Sequence, residues 1–261
     1  MVGVGLNQHD DGWLAHKYYD EIRAEHIERV KAYQSAMASR IVSHDAMDVN
    51  SVRYVVGVDV AYSADVAFAA AVMMDTLDGR IVHVSNGICR VHIPYIPGLL
   101  FLREAAPMLS ALGRLDRSTH AGGRCHYPYM VIVDGNGMLH PRFFGLACYI
   151  GLLVDRPTIG VSKSLLCGRV SGGKVTIGDR EVGRVVECYG SRRRVYVSIG
   201  HKISLDSAER VVRSLISAGR GSPSPSPSRS RSRSRSRSML PEPLGLAHDA
   251  ANALRRSQAR P

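Results

Sequence analysis

The length of 261 residues suits one α/β domain with appendages, and the 45% of hydrophobic residues are enough to fill its core. The longest apolar run, residues 66–74, is much shorter than the roughly 20 residues needed to span a bilayer. The N-terminus has no positive start followed by an apolar stretch and a small-residue cleavage site, so we do not expect a secretory signal. The five scattered cysteines form no C-x-x-C pair, which favours a cytoplasmic protein with reduced thiols and argues against a zinc cluster. The net charge of +11 favours a polyanionic partner, although five arginines of one repeat supply part of it and +6 remains without them.

The first half of the sequence predicts a long helix, three strands and a second helix. Apolar residues at helical spacing predict the first helix from about Trp13 to Ile41. Three β-rich segments joined by short turns predict an antiparallel meander at residues 54–63, 67–75 and 81–93. PYIPG (94–98) ends the third strand, and a helix is expected over 99–115, in which Pro107 must occupy a break or the first turn.

The second half predicts strands that alternate with helices. A buried strand and its glycine-rich turn span 129–137, a helix spans 144–154 and another strand spans 157–163. Further strands or hairpins are expected within 174–200, and a helix over 203–216 with Ser204 or Asp206 near its cap. A meander followed by βα units in one sheet predicts an α/β fold with a mixed central sheet flanked by helices.

A low-complexity segment near the end divides the chain. Residues 221–238 (GSPSPSPSRSRSRSRSRS) carry repeated charge and no apolar residue, so they are expected to be disordered. Folded-looking sequence resumes with LPEPLGLAH, which makes the repeat an insertion and predicts a short helix after the prolines. We expect a helical segment over 1–45 packed on a core over 46–220, and a C-terminal segment over 239–261 that completes a single domain.

Two aspartates follow apolar strands and suggest a site. Asp59 and Asp134 each close such a run, and a carboxylate there is costly to bury unless it meets a cation or hydrogen-bond donors. On neighbouring strands they would form a Mg²⁺ site, because this ion favours carboxylates, waters and phosphate oxygens. Taken alone, each aspartate is more simply interpreted as the cap of a turn.

Four more residues invite a functional interpretation and each has a plainer alternative. Lys163 closes an apolar strand and could stabilise a phosphate, or be a solvated lysine. His140 could reach a phosphate, or hydrogen-bond its own loop. Tyr95, between two prolines, could enter a base stack or pack over the sheet edge. Glu104 lies among apolar helical residues, where surface exposure is the simplest expectation.

Together the segments resemble the endonuclease V family, the deoxyinosine-directed nucleases. The resemblance is carried by YVVGVDVAYS, PYIPGLLFLREAAPML, VIVDGNGMLHPRFFGLACYIGLLVDRPTIGVSKSLLCG, GHKISLDSA and LPEPLGLAH, and it covers nearly all of 34–256 apart from the Ser/Arg insertion. It departs from the family at Leu244-Gly245, where Thr-Arg is common, and in a longer stretch before the strand at 129. It implies an RNase H-like core.

The resemblance also implies roles for individual residues. Asp59, Asp134 and Glu104 would be the metal-binding acids, and Lys163 would support the scissile phosphate. His248, after LPEP, would help to position the attacking water. A second group would bind the substrate: the wedge Tyr95 with its neighbours Pro94 and Ile96, the turn glycines Gly135 and Gly137, and His140.

The implied reaction is Mg²⁺-dependent hydrolysis of the second phosphodiester bond 3′ to a deaminated purine, with Mn²⁺ as a substitute, leaving 3′-hydroxyl and 5′-phosphate ends. The implied partner of this enzyme, expected to be a monomer, is DNA that contains deaminated bases. Inosine-containing RNA is the alternative substrate, because discrimination depends on contacts to the 2′-hydroxyl. A further alternative is an inactive nucleic-acid-binding protein that uses its Ser/Arg tract.

Overall fold

A computed structural model describes residues 10–121, 128–187, 193–218 and 240–258, and the side chains of these residues from 24 onward except at 119–121. The cysteines it describes, Cys89, Cys148 and Cys167, are free thiols. The Ser/Arg tract, whose disorder the sequence predicts, lies outside the described residues. Within the part described, no helix combines the length and the apolar character needed to cross a membrane.

The predicted meander is confirmed. Strands β1 (Tyr54–Ser63), β2 (Val66–Asp75) and β3 (Ile81–Arg90) pair antiparallel in sequence order. Strand β1 also pairs in parallel with β4 (Tyr129–Asp134), which pairs in parallel with β5 (Thr158–Ser162). The segment in which strands or hairpins were expected, 174–200, corresponds to the strands β7 (Lys174–Ile177), β8 (Arg180–Glu187) and β9 (Arg194–His201). A further strand, β6 (Arg169–Ser171), precedes it and was not predicted, and each of these strands pairs antiparallel with the next.

The result is a nine-stranded mixed sheet in the order β3-β2-β1-β4-β5-β9-β8-β7-β6. Within the residues that the structure describes, five α-helices accompany it, namely α1 (Asp10–Met37), α2 (Phe101–Ala121), α3 (Leu146–Val154), α4 (Leu205–Ala218) and α5 (Glu242–Gln258). Helices α2 and α3 share one apolar cluster with the face of β1 that carries Val56 and Val58. Helices α4 and α5 share another cluster with the opposite face, through Val55, Val212 and Leu244.

Strand alternation determines which face each acid occupies. Successive side chains of a strand point to opposite faces, so Val55, Gly57 and Asp59 share the face that α4 and α5 cover. The same alternation in β4 puts Met130, Ile132 and Asp134 on that face. The helix α4 begins as predicted, because the Ser204 hydroxyl accepts a hydrogen bond from the Ser207 amide at 3.2 Å.

Two local predictions were wrong. Asp59 does not end its strand: β1 runs on to Ser63, because its antiparallel partner β2 continues beside it beyond the end of the parallel partner β4. Pro107 lies inside α2 rather than at a break or in the first turn. A proline there costs about 3 kcal/mol in an isolated helix, but Pro107 is buried against β3, where a Cβ on Gly87 would overlap the Pro107 carbonyl oxygen.

Candidate active site

The parallel pairing of β1 and β4 brings Asp59 and Asp134 together. Val58 pairs with Val133, so the next residue of each strand, Asp59 and Asp134, occupies the same level of the sheet and the same face. Asp59 is 6% exposed. Two carboxylates on adjacent strands of one face repel each other unless a cation lies between them.

Asp59 is held by two hydrogen bonds. Its Oδ1 accepts from the backbone amide of Val60 at 2.7 Å, and its Oδ2 lies 2.7 Å from Nδ1 of His248. Burial, followed by the charge of Asp134, raises the pKa of Asp59 above its ordinary range although both hydrogen bonds oppose the rise. Burial and the neighbouring carboxylate therefore make the charged form, which a metal would bind, less favourable than it is in an exposed aspartate.

Helix α5 carries His248, which is 189 residues away from Asp59 in the sequence. Its first turn packs on β1 so closely that a Cβ on Gly57 would overlap the carbonyl oxygen of Pro243. One helical turn after His248, the amide of Asn252 lies 3.2 Å from the Nε2 of the imidazole. With Nδ1 donating to Asp59 and Nε2 accepting from Asn252, both nitrogens of a neutral imidazole are oriented.

Glu104, on α2, joins the group electrostatically. It is half-buried, which corrects the expectation of an exposed helix residue. Burial and the nearby charges of Asp59 and Asp134 raise the pKa of Glu104 to about 8. The hydroxyl of Tyr62, three residues beyond Asp59 on β1, donates to Glu104 Oε1 at 3.4 Å.

Lys163 supplies positive charge at this site. It follows β5 directly, and its Nζ lies 2.8 Å from Asp134 Oδ2. Burial lowers the pKa of Lys163, but the charge and hydrogen bond of Asp134, together with the charges of Asp59 and Glu104, outweigh that effect and the pKa is raised. Lys163 is thus a charged ammonium at the edge of the acidic group, where it could also meet a phosphate oxygen.

These donors fit a divalent cation. Asp59, Asp134 and His248 each offer a ligand atom, and the three atoms all lie within 4.8 Å of one another. This set differs from the three acids that the resemblance implied, since His248 replaces Glu104 in it. Carboxylate oxygens suit Mg²⁺ or Mn²⁺, and an imidazole nitrogen suits Mn²⁺ better than Mg²⁺. A bound cation would also relieve the repulsion that raises the pKa values of Asp59 and Glu104.

A pocket lies beside the predicted wedge. Tyr95 is 62% exposed at the tip of the loop formed by residues 91–98, which we call the Tyr95 loop. Pro94 and Ile96 flank it in this loop, and Ile96 accepts a backbone hydrogen bond from Leu99 at 2.9 Å. An open pocket lies next to Tyr95, and its volume of about 380 Å³ includes space continuous with the solvent. Its lining includes Gly98, Asn136, His140, Leu146 and Leu166.

The glycine-rich turn after β4 forms the floor of the site. Gly135 donates its amide to the Val161 carbonyl at 2.9 Å, and Gly137 donates its own to Ser198 Oγ at 2.9 Å. A Cβ on Gly137 would overlap the carbonyl oxygen of Ile199, so only glycine fits there. The turn is therefore fixed against β5 and β9, with the Asn136 side chain held by Ser162.

His140 lies beneath the Tyr95 loop, and both its nitrogens have partners within the protein. It is 2% exposed. Its Nδ1 accepts from the Arg142 amide at 3.2 Å, so Nε2 carries the proton and donates to the Gly98 carbonyl at 2.9 Å. Burial lowers the pKa of His140 to about 4, and the charge of Arg142 acts in the same direction. The neutral imidazole thus links the segment that contains Arg142 to Gly98 of the Tyr95 loop.

Four residues of this region escaped the sequence reasoning. Tyr62 and Asn252 contact Glu104 and His248, and their only sequence signal is proximity along a strand or a helix to a residue already suspected. Gln34 and Arg142 contact Gly98 from segments 108 residues apart. No local pattern in the sequence indicates that pairing.

Comparison with known proteins places the chain. A sequence profile of the endonuclease V family matches residues 35–231. Endonuclease V of Thermofilum pendens is 39% identical over 235 residues, which are 88% of this chain and 89% of that protein. The solved endonuclease V of Streptomyces avermitilis has a TM-score of 0.70 at 29% identity, covering 89% of this chain and 94% of its own.

A further solved structure shares the fold at 22% identity, with a TM-score of 0.72 over 89% of this chain and 98% of its own. It is the Ciona intestinalis endonuclease V in complex with a 23mer DNA containing an inosine followed by a ribo-adenosine. The mixed sheet and flanking helices are thus the RNase H-like fold expected from the sequence. With the profile match and the Thermofilum relative, the acids and the neighbouring pocket identify this chain as a member of the endonuclease V family.

Proposed function

We propose that this endonuclease uses Mg²⁺, with Mn²⁺ as a substitute, to hydrolyse DNA beside deoxyinosine. The cut falls at the second phosphodiester bond 3′ to the deaminated base and leaves 3′-hydroxyl and 5′-phosphate ends. One observation carries the proposal: the ligand atoms of Asp59, Asp134 and His248 all lie within 4.8 Å of one another. The pKa values of Asp59 and Glu104 are raised even with Lys163 beside them, so a further cation would stabilise these carboxylates.

The chain's own residues divide the work of hydrolysis. Asp59 and Asp134 would hold the cation, with Glu104 beside them as the third acid. When bound, the cation supplies Lewis-acid polarisation of the phosphate and lowers the pKa of water. Lys163 offsets negative charge on the phosphate oxygens. His248, which Asp59 and Asn252 hold in place, would help to position the attacking water.

Substrate selection is assigned to the pocket and the Tyr95 loop. An exposed aromatic ring between two prolines suits insertion into the space that an extruded base leaves. The extruded hypoxanthine would enter the cavity that Gly98 and Asn136 line. The turn of Gly135 and Gly137, whose amides are bonded within the protein, would fix the wall of the cavity at Asn136. His140 contributes by holding the Gly98 wall of this cavity.

A nicking assay tests the proposal. Wild-type protein with Mg²⁺ should cut a duplex with one deoxyinosine at a single position and leave the undamaged duplex intact. Asp59→Ala should remain folded and lose activity by about a thousandfold or more, as expected when a charged group at the reaction centre is removed. Asp78→Ala, which removes an exposed aspartate from the turn before β3, is the matched control and should retain wild-type rates. Substantial Mg²⁺-dependent cutting by Asp59→Ala would refute the site.

RNA is a second candidate substrate, because the DNA in the Ciona intestinalis complex carries a ribo-adenosine directly after the inosine. Matched single strands containing inosine in RNA or deoxyinosine in DNA would separate the two activities when cleaved side by side. A higher kcat/KM on the ribonucleotide strand would assign the enzyme to RNA, since the difference measures contacts to the 2′-hydroxyl.

A further inference from the structure

The Tyr95 loop is fixed at both ends. At its start, Arg103 donates from Nη1 to the Ile93 carbonyl at 3.0 Å, and its guanidinium lies over the Tyr62 ring at 4.8 Å. At its end, the Gly98 carbonyl accepts three hydrogen bonds. Tyr95 lies between these two anchors with most of its ring in solvent.

The three donors to Gly98 come from two distant segments. Gln34 Nε2 lies 3.2 Å from the carbonyl oxygen, Arg142 Nη2 lies 2.9 Å from it and His140 Nε2 lies 2.9 Å from it. A carbonyl oxygen has two lone pairs, so three donors, one of them charged, saturate it. We call this arrangement of Gln34, His140 and Arg142 around Gly98 the Gly98 clamp.

Gln34 closes the clamp from helix α1. Its side chain is fully buried, and its Nε2 also donates to the Phe144 carbonyl at 2.8 Å. Its Oε1 accepts from Arg142 Nε at 2.8 Å, so the amide orients the guanidinium that donates to Gly98. Every polar atom of this buried amide is therefore used, which fixes its orientation and that of Arg142.

Gly98 itself suits this role. Its φ of +76° favours glycine, and a Cβ there would lie 2.9 Å from Arg142 Nη2 and 3.4 Å from His140 Nε2. Gly98 and His140 also line the cavity next to Tyr95. The clamp thus holds the wall of the cavity and the base of the wedge with one carbonyl group.

We propose that Gln34 and Arg142 are positioning residues that make the Tyr95 loop a rigid wedge for duplex substrates. The inference rests on the proposed function. Keeping a base extruded from a duplex works against restacking and pairing, which amount to a few kcal/mol. A loop whose base shifts cannot resist that force. A single strand has no partner to displace, so the clamp should matter far less for it.

The experiment compares one inosine lesion in two contexts. Duplex and single-stranded oligonucleotides of the same sequence, each with one deoxyinosine, are cut with Mg²⁺ by wild type, Gln34→Leu and Arg142→Lys. Gln34→Leu removes every hydrogen bond of the amide, and Arg142→Lys keeps the charge but loses the fork that serves Gln34 and Gly98 together. Ser35→Ala is the matched control, because this exposed neighbour on α1 bonds only within its own helix.

Both variants should lower kcat/KM on the duplex about tenfold or more relative to the single strand. The Mg²⁺ concentration for half-maximal cutting of the single strand should stay at the wild-type value. Ser35→Ala should preserve both quantities. If Gln34→Leu does not fold, Arg142→Lys decides alone.

An equal loss on duplex and single strand, or none on either, would overturn the positioning role while leaving the proposed function intact. If the wild type itself cuts neither inosine substrate, the proposed function fails and the inference fails with it.

Discussion

At the scale of single residues, the carboxylates of the candidate active site repel one another. Asp59 is buried and Glu104 is half-buried, both near Asp134, and both have raised pKa values. Such an arrangement lowers the stability of the metal-free protein, because the ionised forms repel one another. A bound cation would remove this repulsion, so the cluster of acids is consistent with a metal site.

His140 provides a pH dependence that can be measured independently of the metal. Its pKa is about 4 in the folded chain, against about 6.5 for an unperturbed histidine. A depressed pKa gives stability that is fully present above pH 6.5 and is lost as the pH falls towards 4, because the unfolded chain then binds the proton more readily. The loss should amount to at most about 3 kcal/mol.

Denaturant unfolding of wild type and His140→Gln from pH 4 to 7.5 measures this effect. The variant should be less stable at neutral pH, where it loses the imidazole hydrogen bonds, but its free energy of unfolding should change less between pH 6.5 and 4. His201, whose pKa burial also lowers, contributes to both profiles and cancels in the comparison. Parallel profiles would show that His140 titrates normally in the folded protein.

At the scale of elements, helix α5 completes the site by packing on β1. Contact between Gly57 and the Pro243 carbonyl sets how closely the helix approaches, and His248 follows a little more than one turn later. The 2.7 Å contact of His248 with Asp59 depends on that approach. A displacement of the helix by one methyl group would be enough to break it.

Gly57→Ala should therefore affect stability and activity together. Forcing a Cβ into this contact should cost about 1–3 kcal/mol, the usual effect of overpacking, and nicking should fall at least tenfold as His248 leaves Asp59. The matched control is Gly113→Ala in α2, where the nearest atom lies at 3.6 Å. It should keep full activity and gain up to about 1 kcal/mol from helix propensity. Thermal unfolding measures the change in stability, and the nicking assay measures the change in activity. Full activity in Gly57→Ala would contradict the idea that close packing of α5 on β1 positions His248.

Elements were predictable where a single periodicity governs the residues. The meander, β4, β5 and α4 follow from alternation or helical spacing, and their positions agree with the structure to within a few residues. The position of Pro107 inside a continuous helix was not predictable, because that helix packs against Gly87 of another element. Glu104 was misjudged for the same reason: nothing in its own helix shows that the sheet and two aspartates lie next to it.

At the scale of the whole molecule, the site joins residues that are far apart in the chain. Asp59 and Asp134 follow from strand pairing, which the sequence pattern could anticipate. His248 and the Gly98 clamp depend on how α5 and α1 pack, and only the family resemblance pointed to His248 beforehand. Long-range contacts of single polar side chains leave no periodic signal, so Gln34 and Arg142 emerged only from the structure.

The basic repeat is the remaining feature of whole-molecule scale, and its effect should be electrostatic. Five arginines within 222–238 nearly double the net charge, from +6 to +11. If each neutralises one phosphate, the slope of log K against log salt steepens by up to about 4.5 on duplex DNA, at about 0.9 per contact. This term carries no sequence information, so it should strengthen binding to damaged and undamaged DNA alike.

Replacing the five arginines by glutamine, or deleting 222–238, should flatten the salt dependence of binding without altering the cleavage position. Replacement by lysine is the matched control, because it keeps the charge and should preserve the slope. Fluorescence anisotropy with an undamaged duplex, titrated from 50 to about 200 mM salt, gives the slopes directly. An unchanged slope in the glutamine variant would mean that the repeat makes no phosphate contacts, and that the basic charge of the folded part alone accounts for the affinity.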